Sequence, residues 1–211
     1  MLIERRTPCR GEDALPDDLP PLLRRVYLNR GIGSGKELDL ALGNLQDAEA
    51  LGGLEQAVTL LQQALEEGRR ILIVGDFDAD GATSTALCIR ALKMLGHQRM
   101  DYLLPDRVSD GYGVSQNAAE KIIEHNPDVV INVDTGIASF SGLQQLADAG
   151  IDVIVTDHHL PADRLPPARV IVNPNAFADD QGKNLAGVGV AFYLMLALRM
   201  QHARRVAEGR N

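Results

Sequence analysis

The sequence predicts an α/β domain built on a mostly parallel sheet with helices on both faces, preceded by an N-terminal helical arm. Two observations carry that expectation. From residue 54 onward, short apolar runs of strand length alternate with segments of helical periodicity, the pattern of parallel strands joined by helical crossovers. Several of the helical segments also stop at a glycine, as at Gly68, Gly96 and Gly150, where a left-handed residue closes a helix without steric cost. The expected boundaries are an arm over residues 1–50 and an α/β domain over 51–211.

The elements follow in order. The arm contains Pro, Arg and Asp with short helical patterns around Leu22–Asn29 and Glu37–Leu42. Leu54–Glu67 has apolar residues at 54, 57, 58, 61 and 65, one face of a helix. Ile71–Gly75 reads as a buried strand, followed by a helix from about Thr83 to Leu95. A strand at Met100–Leu104, a polar loop and a helix near Ser115–Glu124 come next. Strand Val129–Val133, helix Ser139–Ala149, strand Ile151–Val155, a Pro-rich turn and strand Val170–Val172 complete the alternation. The closing helix, about Val188–Ala207, is apolar at its start and is expected to be buried.

At 211 residues the chain is long enough to bury a sizeable core. With no Trp, four Phe and four Tyr, that core must be aliphatic, and an RNA reader that stacks bases on an aromatic sheet is disfavoured. The net charge of -8 argues against a broad basic nucleic-acid-binding face. The excess is central: residues 71–180 hold 16 acids against 7 bases, a net of -9. Cys9 and Cys88 stand apart in sequence and read as free thiols of a reducing compartment. With no signal-peptide pattern and no run of membrane-spanning length, a cytoplasmic protein without membrane association is expected.

Asp76-Phe77-Asp78-Ala79-Asp80-Gly81 places three carboxylates at alternate positions directly after an apolar run. Carboxylates so close repel one another, and a hard divalent cation relieves that repulsion. A calcium-binding EF-hand loop begins the same way but closes on a Glu at its twelfth position. Here that position is Leu87, and a strand leads in where a helix should. Two other strand ends carry candidate ligands: Asp134 after Val129–Val133, and Asp157-His158-His159 after Ile151–Thr156. In a parallel sheet these ends share one edge, where open α/β sheets bind their ligands.

Plainer readings exist for each residue alone. An Asp after a strand also serves as a helix N-cap or turn residue. Asp134-Thr135-Gly136 matches the aspartic-protease triplet, but no second copy and no β-rich pattern accompany it. Taken together, Asp and His donors without Cys suit manganese or magnesium. Two such ions about 3.5–4 Å apart form the usual clamp for in-line attack of water on phosphorus. The start of the helix after Gly81, with Thr83 and Ser84, is expected to offer phosphate N–H groups and hydroxyls. In the loop Pro105–Gly113, Arg107 can pair with a phosphate and Tyr112 can stack on a base; for each residue taken separately, an ordinary solvated loop is the simpler reading.

The three strand-end motifs resemble those of the DHH phosphoesterase superfamily. Within it, Gly75–Ser84, Asn132–Ile137 and Val155–His159 are similar to the RecJ exonucleases, as are Asp110–Gly113 and Leu185–Val190. The resemblance implies a Rossmann-like DHH domain in which Asp78 binds one metal, Asp80 the other and Asp134 bridges them. It makes His158 a ligand, places His159 at the scissile phosphate and leaves Asp157 to support the imidazoles. Asp76 is either a ligand or an acceptor behind the ligands. The implied activity is manganese- or magnesium-dependent 5′-to-3′ hydrolysis of single-stranded DNA, in recombination and repair.

Two departures bear on this. Many DHH phosphatases carry a His four positions before the first Asp of D-x-D, where this chain has Val74. The further metal-binding Asp of a fourth motif does not occur before Asn211, nor does sequence for the DHH-associated and OB-fold domains. The expectation is an N-terminal catalytic portion, inactive alone if the fourth motif is essential. The alternative activity is a DHH phosphodiesterase or phosphatase on short oligonucleotides, cyclic dinucleotides or pyrophosphate.

Two glycine-rich segments are excluded as nucleotide loops. Gly31–Glu37 has Arg30 where a P-loop needs Gly and Glu37 where it needs Ser or Thr, and Gly187-x-Gly189 is followed by Phe192 where a dinucleotide fingerprint needs Gly or Ala; the second segment reads instead as close helix packing against the metal-bearing loops.

Overall fold

Five strands form one sheet: β1 (Ile71–Gly75), β2 (Met100–Leu103), β3 (Val129–Val133), β4 (Asp152–Thr156) and β5 (Val170–Val172). All pairings are parallel, and the spatial order is β2-β1-β3-β4-β5. The computed structural model describes residues 14–39, 41, 43, 45, 51–177 and 182–209. It divides into two compact units, Met1–Gln46 and Asp47–Asn211.

In the larger unit the pleat separates two cores. Ile71, Ile73, Val129, Ile131, Val133 and Ile154 pack with α2 (Leu54–Glu66), α3 (Ala79–Met94) and α6 (Gly187–Ala207). Leu72, Val74, Val130, Val153 and Val155 face the other way, onto α4 (Gln116–Glu124) and α5 (Phe140–Asp148). Every residue of β1 and β3 is buried. Burial on both faces is why these strands read as unbroken apolar runs, without alternation. The expected helices on both faces are present.

Most boundaries fall within a residue or two of expectation; α3 is the exception. It begins at Ala79, four residues before Thr83, with Asp78 as its N-cap. Asp78 Oδ1 accepts from the Asp80 and Gly81 N–H groups, both at 3.0 Å. Ala79–Ala82 carries no apolar period, so only the cap could have announced the start. Gly81 is required here, because a Cβ at this position would collide with the backbone of Asp76. The helix thus turns directly off the end of β1.

In the smaller unit, α1 (Pro21–Asn29) covers the first expected helical pattern. The second, Glu37–Leu42, is reduced to a 3-10 turn at Gly35–Leu38, closed by a reciprocal Ser34–Glu37 capping box; Leu40 and Leu42 lie outside the described residues. Among the described residues, no helix is long and apolar enough to cross a membrane.

Ile131 is fully buried in the central strand, whereas Met94 on α3 is 77 % exposed. Ile131→Ala should cost about 2–5 kcal/mol through lost transfer energy and an unfilled cavity. Met94→Ala should stay within about 0.5 kcal/mol of wild type. Chemical denaturation of the two variants checks the contrast; equal costs would contradict this assignment of the core.

Candidate metal centre

The strand order reverses between β1 and β3: the crossover from β1 runs through α3 to β2 on one side, and that from β3 runs through α5 to β4 on the other. Such a switch point opens a crevice at the C-terminal edge of the sheet. Asp76 follows β1, Asp134 follows β3 and Asp157 follows β4. All three side chains are buried, to 6 %, 1 % and 1 % exposure.

One carboxylate oxygen each from Asp76, Asp78 and Asp134 lie within 4.8 Å of one another, as do single ligand atoms of Asp134, His158 and His159. Asp134 is common to both groups. Its backbone has φ +60°, a left-handed conformation that Asp tolerates better than most residues. Its Oδ1 is buried without a hydrogen-bond partner, and His158 Nε2 stands 3.3 Å away. Burial, then the charges of Asp80, Asp78 and Asp157, push its carboxyl up to about 7. Burial also raises Asp76, with the Asp78 charge adding to it, although the Phe77 N–H bond opposes the shift.

Asp80 departs from expectation. Its two oxygens accept from the first N–H groups of α6, Gly187 at 2.8 Å and Val188 at 2.7 Å. The positive end of that helix dipole suits a carboxylate. Asp80 therefore ties α6 to the crevice, within 3.7 Å of His158 Nε2, and belongs to neither compact group of ligand atoms. Asp76, left open between ligand and supporting acceptor, is in one of them.

Asp157 is wholly committed to its surroundings. Its Oδ2 accepts from Ile137 N–H at 2.9 Å, and its Oδ1 from the His158 and His159 N–H groups at 2.7 and 3.1 Å. It also pairs with His159 Nδ1 at 2.7 Å. An ionised carboxylate can only accept, so Nδ1 carries the proton and Nε2 is the other nitrogen of that tautomer. Burial opposes a charge on His159, but the Asp157 bond and the carboxylates of Asp157, Asp134 and Asp76 outweigh it and raise its pKa. Asp157 thus supports one imidazole, not both.

The expected phosphate donors are not arranged as such. Thr83 Oγ1 donates to the Ala79 and Asp80 carbonyls and Ser84 Oγ to the Asp80 carbonyl, inside the second turn of α3. Ser84 is fully buried. Moving the helix start to Ala79 removed both from the N-terminal turn. Arg107 lies 4.6 Å over the Phe77 ring, and Tyr112 meets His159 edge-on with centroids 6.3 Å apart. Their loop is built: Asp106 Oδ1 accepts from Val108 and Ser109 N–H, and Asp110 accepts from Asp106 N–H and pairs with Lys121 at 2.6 Å.

Sequence reasoning missed Asn173 and Asn175, which donate to the His159 and His158 carbonyls. The available signal was an Asn directly after β5, at the same sheet edge as the acids. The glycine-rich start of α6 packs close against the site: a Cβ at Gly187 would collide with the Asp134 carboxylate.

The donor set of hard carboxylate oxygens and imidazoles, with one buried oxygen that accepts no hydrogen bond, fits Mn2+ or Mg2+. Cys88 lies within the aliphatic core, its thiol pushed up to about 12 by burial, and takes no part.

Residues 70–209 match the model of the DHH family, N-terminal domain. The chain is 50% identical over 186 residues to the single-stranded-DNA-specific exonuclease RecJ of Escherichia coli, covering 88% of this chain and 32% of that protein. A crystal structure of exonuclease RecJ bound to manganese superposes with a TM-score of 0.68 at 39% identity, over 74% of this chain and 40% of the other. RecJ of Thermus thermophilus in complex with Mn2+ gives 0.67 at 36% identity, over 83% and 24%. The chain therefore spans about a third of the length of the curated relatives it matches.

Two outcomes follow from the geometry. A raised Asp134 carboxyl keeps its proton in the folded chain at pH values where the unfolded chain has lost it, so metal-free stability should fall as pH rises from about 4 to about 7. Asp134→Asn should flatten that slope in thermal melts, and an identical slope in both proteins would refute the assignment. Gly187→Ala should weaken Mn2+ binding by at least about 10-fold, measured by calorimetry; unchanged affinity would show that the crevice tolerates the methyl group.

Proposed function

The chain belongs to the DHH family, and from that premise we propose that it carries the catalytic centre of a metal-dependent, single-stranded-DNA-specific exonuclease of the RecJ type. The observation that carries the proposal is the sharing of Asp134, a buried carboxylate with one oxygen that accepts no hydrogen bond, between an all-carboxylate group and a carboxylate–imidazole group. Asp76, Asp78 and Asp134 would hold one ion. Asp134, His158 and His159 would hold the second, with Asp80 beside His158. Bound there, Mn2+ or Mg2+ supplies Lewis-acid charge for the phosphate and lowers the pKa of water.

The chain's own groups do the rest. Asp157 holds the His159 proton at Nδ1, which fixes the ring and leaves Nε2 of the neutral imidazole as its donor nitrogen. Arg107 offers a permanent positive charge near the crevice. Phe77, at 36 % exposure, and Tyr112, at 55 %, offer flat apolar faces on which bases of a single strand can stack. The deep position of Asp134 and the few aromatic faces suit one strand end at a time better than a duplex. In this reading DNA polarity follows from kinship with RecJ.

Mn2+ with 5′-labelled single-stranded DNA, given to this chain alone and joined to the remaining length found in its relatives, tests the proposal. Mononucleotides released from the 5′ end of DNA are the expected product. Asp134→Ala should lose more than the ~100-fold typical of removing a supporting partner. Full activity in that variant, or cleavage confined to cyclic dinucleotides or pyrophosphate, would overturn it.

A further inference from the structure

His158 and His159 follow the end of β4 and belong to no helix or strand. Their main-chain N–H and C=O groups must therefore find partners elsewhere. All four do, and every partner is a side chain. Asp157 Oδ1 accepts both N–H groups. Asn173 Nδ2 donates to the His159 carbonyl at 2.9 Å, and Asn175 Nδ2 donates to the His158 carbonyl at 2.6 Å.

The asparagines are themselves locked. Asn173 Oδ1 accepts from Asn175 N–H at 2.8 Å, which sets its amide with the nitrogen toward His159. Asn173 is fully buried, and the Asp157 N–H bond to the Val172 carbonyl, 3.1 Å, fixes β5 against the start of the His loop. The segment Asn173-Pro174-Asn175 thus grips the two carbonyls while Asp157 grips the two amides.

We propose that Asn173 and Asn175 are positioning residues for the metal-facing imidazoles, acting through the His158 and His159 main chain. The inference rests on the metal reading of the site given above. With both carbonyls held, the backbone dihedrals of the pair are fixed and the two rings leave it in set directions, 4.6 Å apart between centroids. Without them the carbonyl side of the loop would be restrained by water alone, and ligand geometry tolerates only about 0.5 Å of play.

The test uses this chain with two readouts, neither of them catalytic. The His159 Nδ1 proton, shielded by Asp157, is expected as a slowly exchanging downfield imidazole resonance. Asn175→Ala and Asn173→Ala should broaden or remove it and weaken Mn2+ binding by ~10- to 100-fold in EPR titrations, with helical content retained. Asn175→Gln, which keeps an amide donor on a half-buried side chain, should restore both. Should Asn173→Ala fail to fold, the Asn175 pair decides. Alanine variants that keep the resonance and the Mn2+ affinity of wild type overturn the proposal. A wild-type chain that takes up no Mn2+ overturns the metal reading instead, and the imidazole resonance then decides the role of the asparagines alone.

Discussion

The burial of Asp134 is the constraint around which the crevice is organised. A carboxylate at 1 % exposure, with an oxygen that accepts no hydrogen bond and other acids close by, is an expensive feature in a metal-free protein. Desolvation and like charge both disfavour its ionised form. Nearby glycine, helix and loop geometry nevertheless holds it in place: Gly187 leaves the space that its carboxylate occupies, and its own N–H bonds the Thr156 carbonyl at the end of β4. Asn132 Oδ1 and Thr135 Oγ1, on the same strand and loop, are likewise buried without a hydrogen bond, so the polar atoms left unsatisfied gather at this edge of the sheet.

The acids around it are satisfied to graded degrees, and the gradation separates anchors from candidate ligands. Asp157 and Asp80 each have both oxygens occupied by backbone N–H groups, from Ile137 and the His loop in one case and from the head of α6 in the other. Asp78 and Asp76 show hydrogen bonds at one oxygen each, and Asp134 Oδ1 has none. In the proposed centre, the less committed the carboxylate, the more directly it would meet a cation. Asp80 then joins the last helix to the first strand's loop, so that displacement of α6 would be felt at His158 and Asp134.

Much of the fold was legible because its signals are local. β1, β3 and β5 match their apolar runs, and the glycines at 68, 96 and 150 close their helices with positive φ. The start of α3 was not legible from periodicity, because Ala79–Ala82 has no apolar stripe and the helix is announced by the side chain of Asp78 alone. That displacement also explains Thr83 and Ser84: as second-turn residues their hydroxyls bond back to carbonyls of the preceding turn. Within the site, the gathering of Asp76, Asp78, Asp134, His158 and His159 at one edge was readable from three strand ends. The different standing of Asp76 and Asp80 was not.

Sequence by itself determined which residues reach the edge of the sheet, because strand ends are set by hydropathy and length, and a parallel sheet aligns them. Tertiary structure decided what each of those residues is free to do. The N–H groups that occupy Asp80 come from positions 187 and 188, and the amides that hold the His158–His159 carbonyls come from 173 and 175. Hydrogen bonds of that kind depend on where a distant helix begins and where an edge strand ends, and no local period in the chain records either.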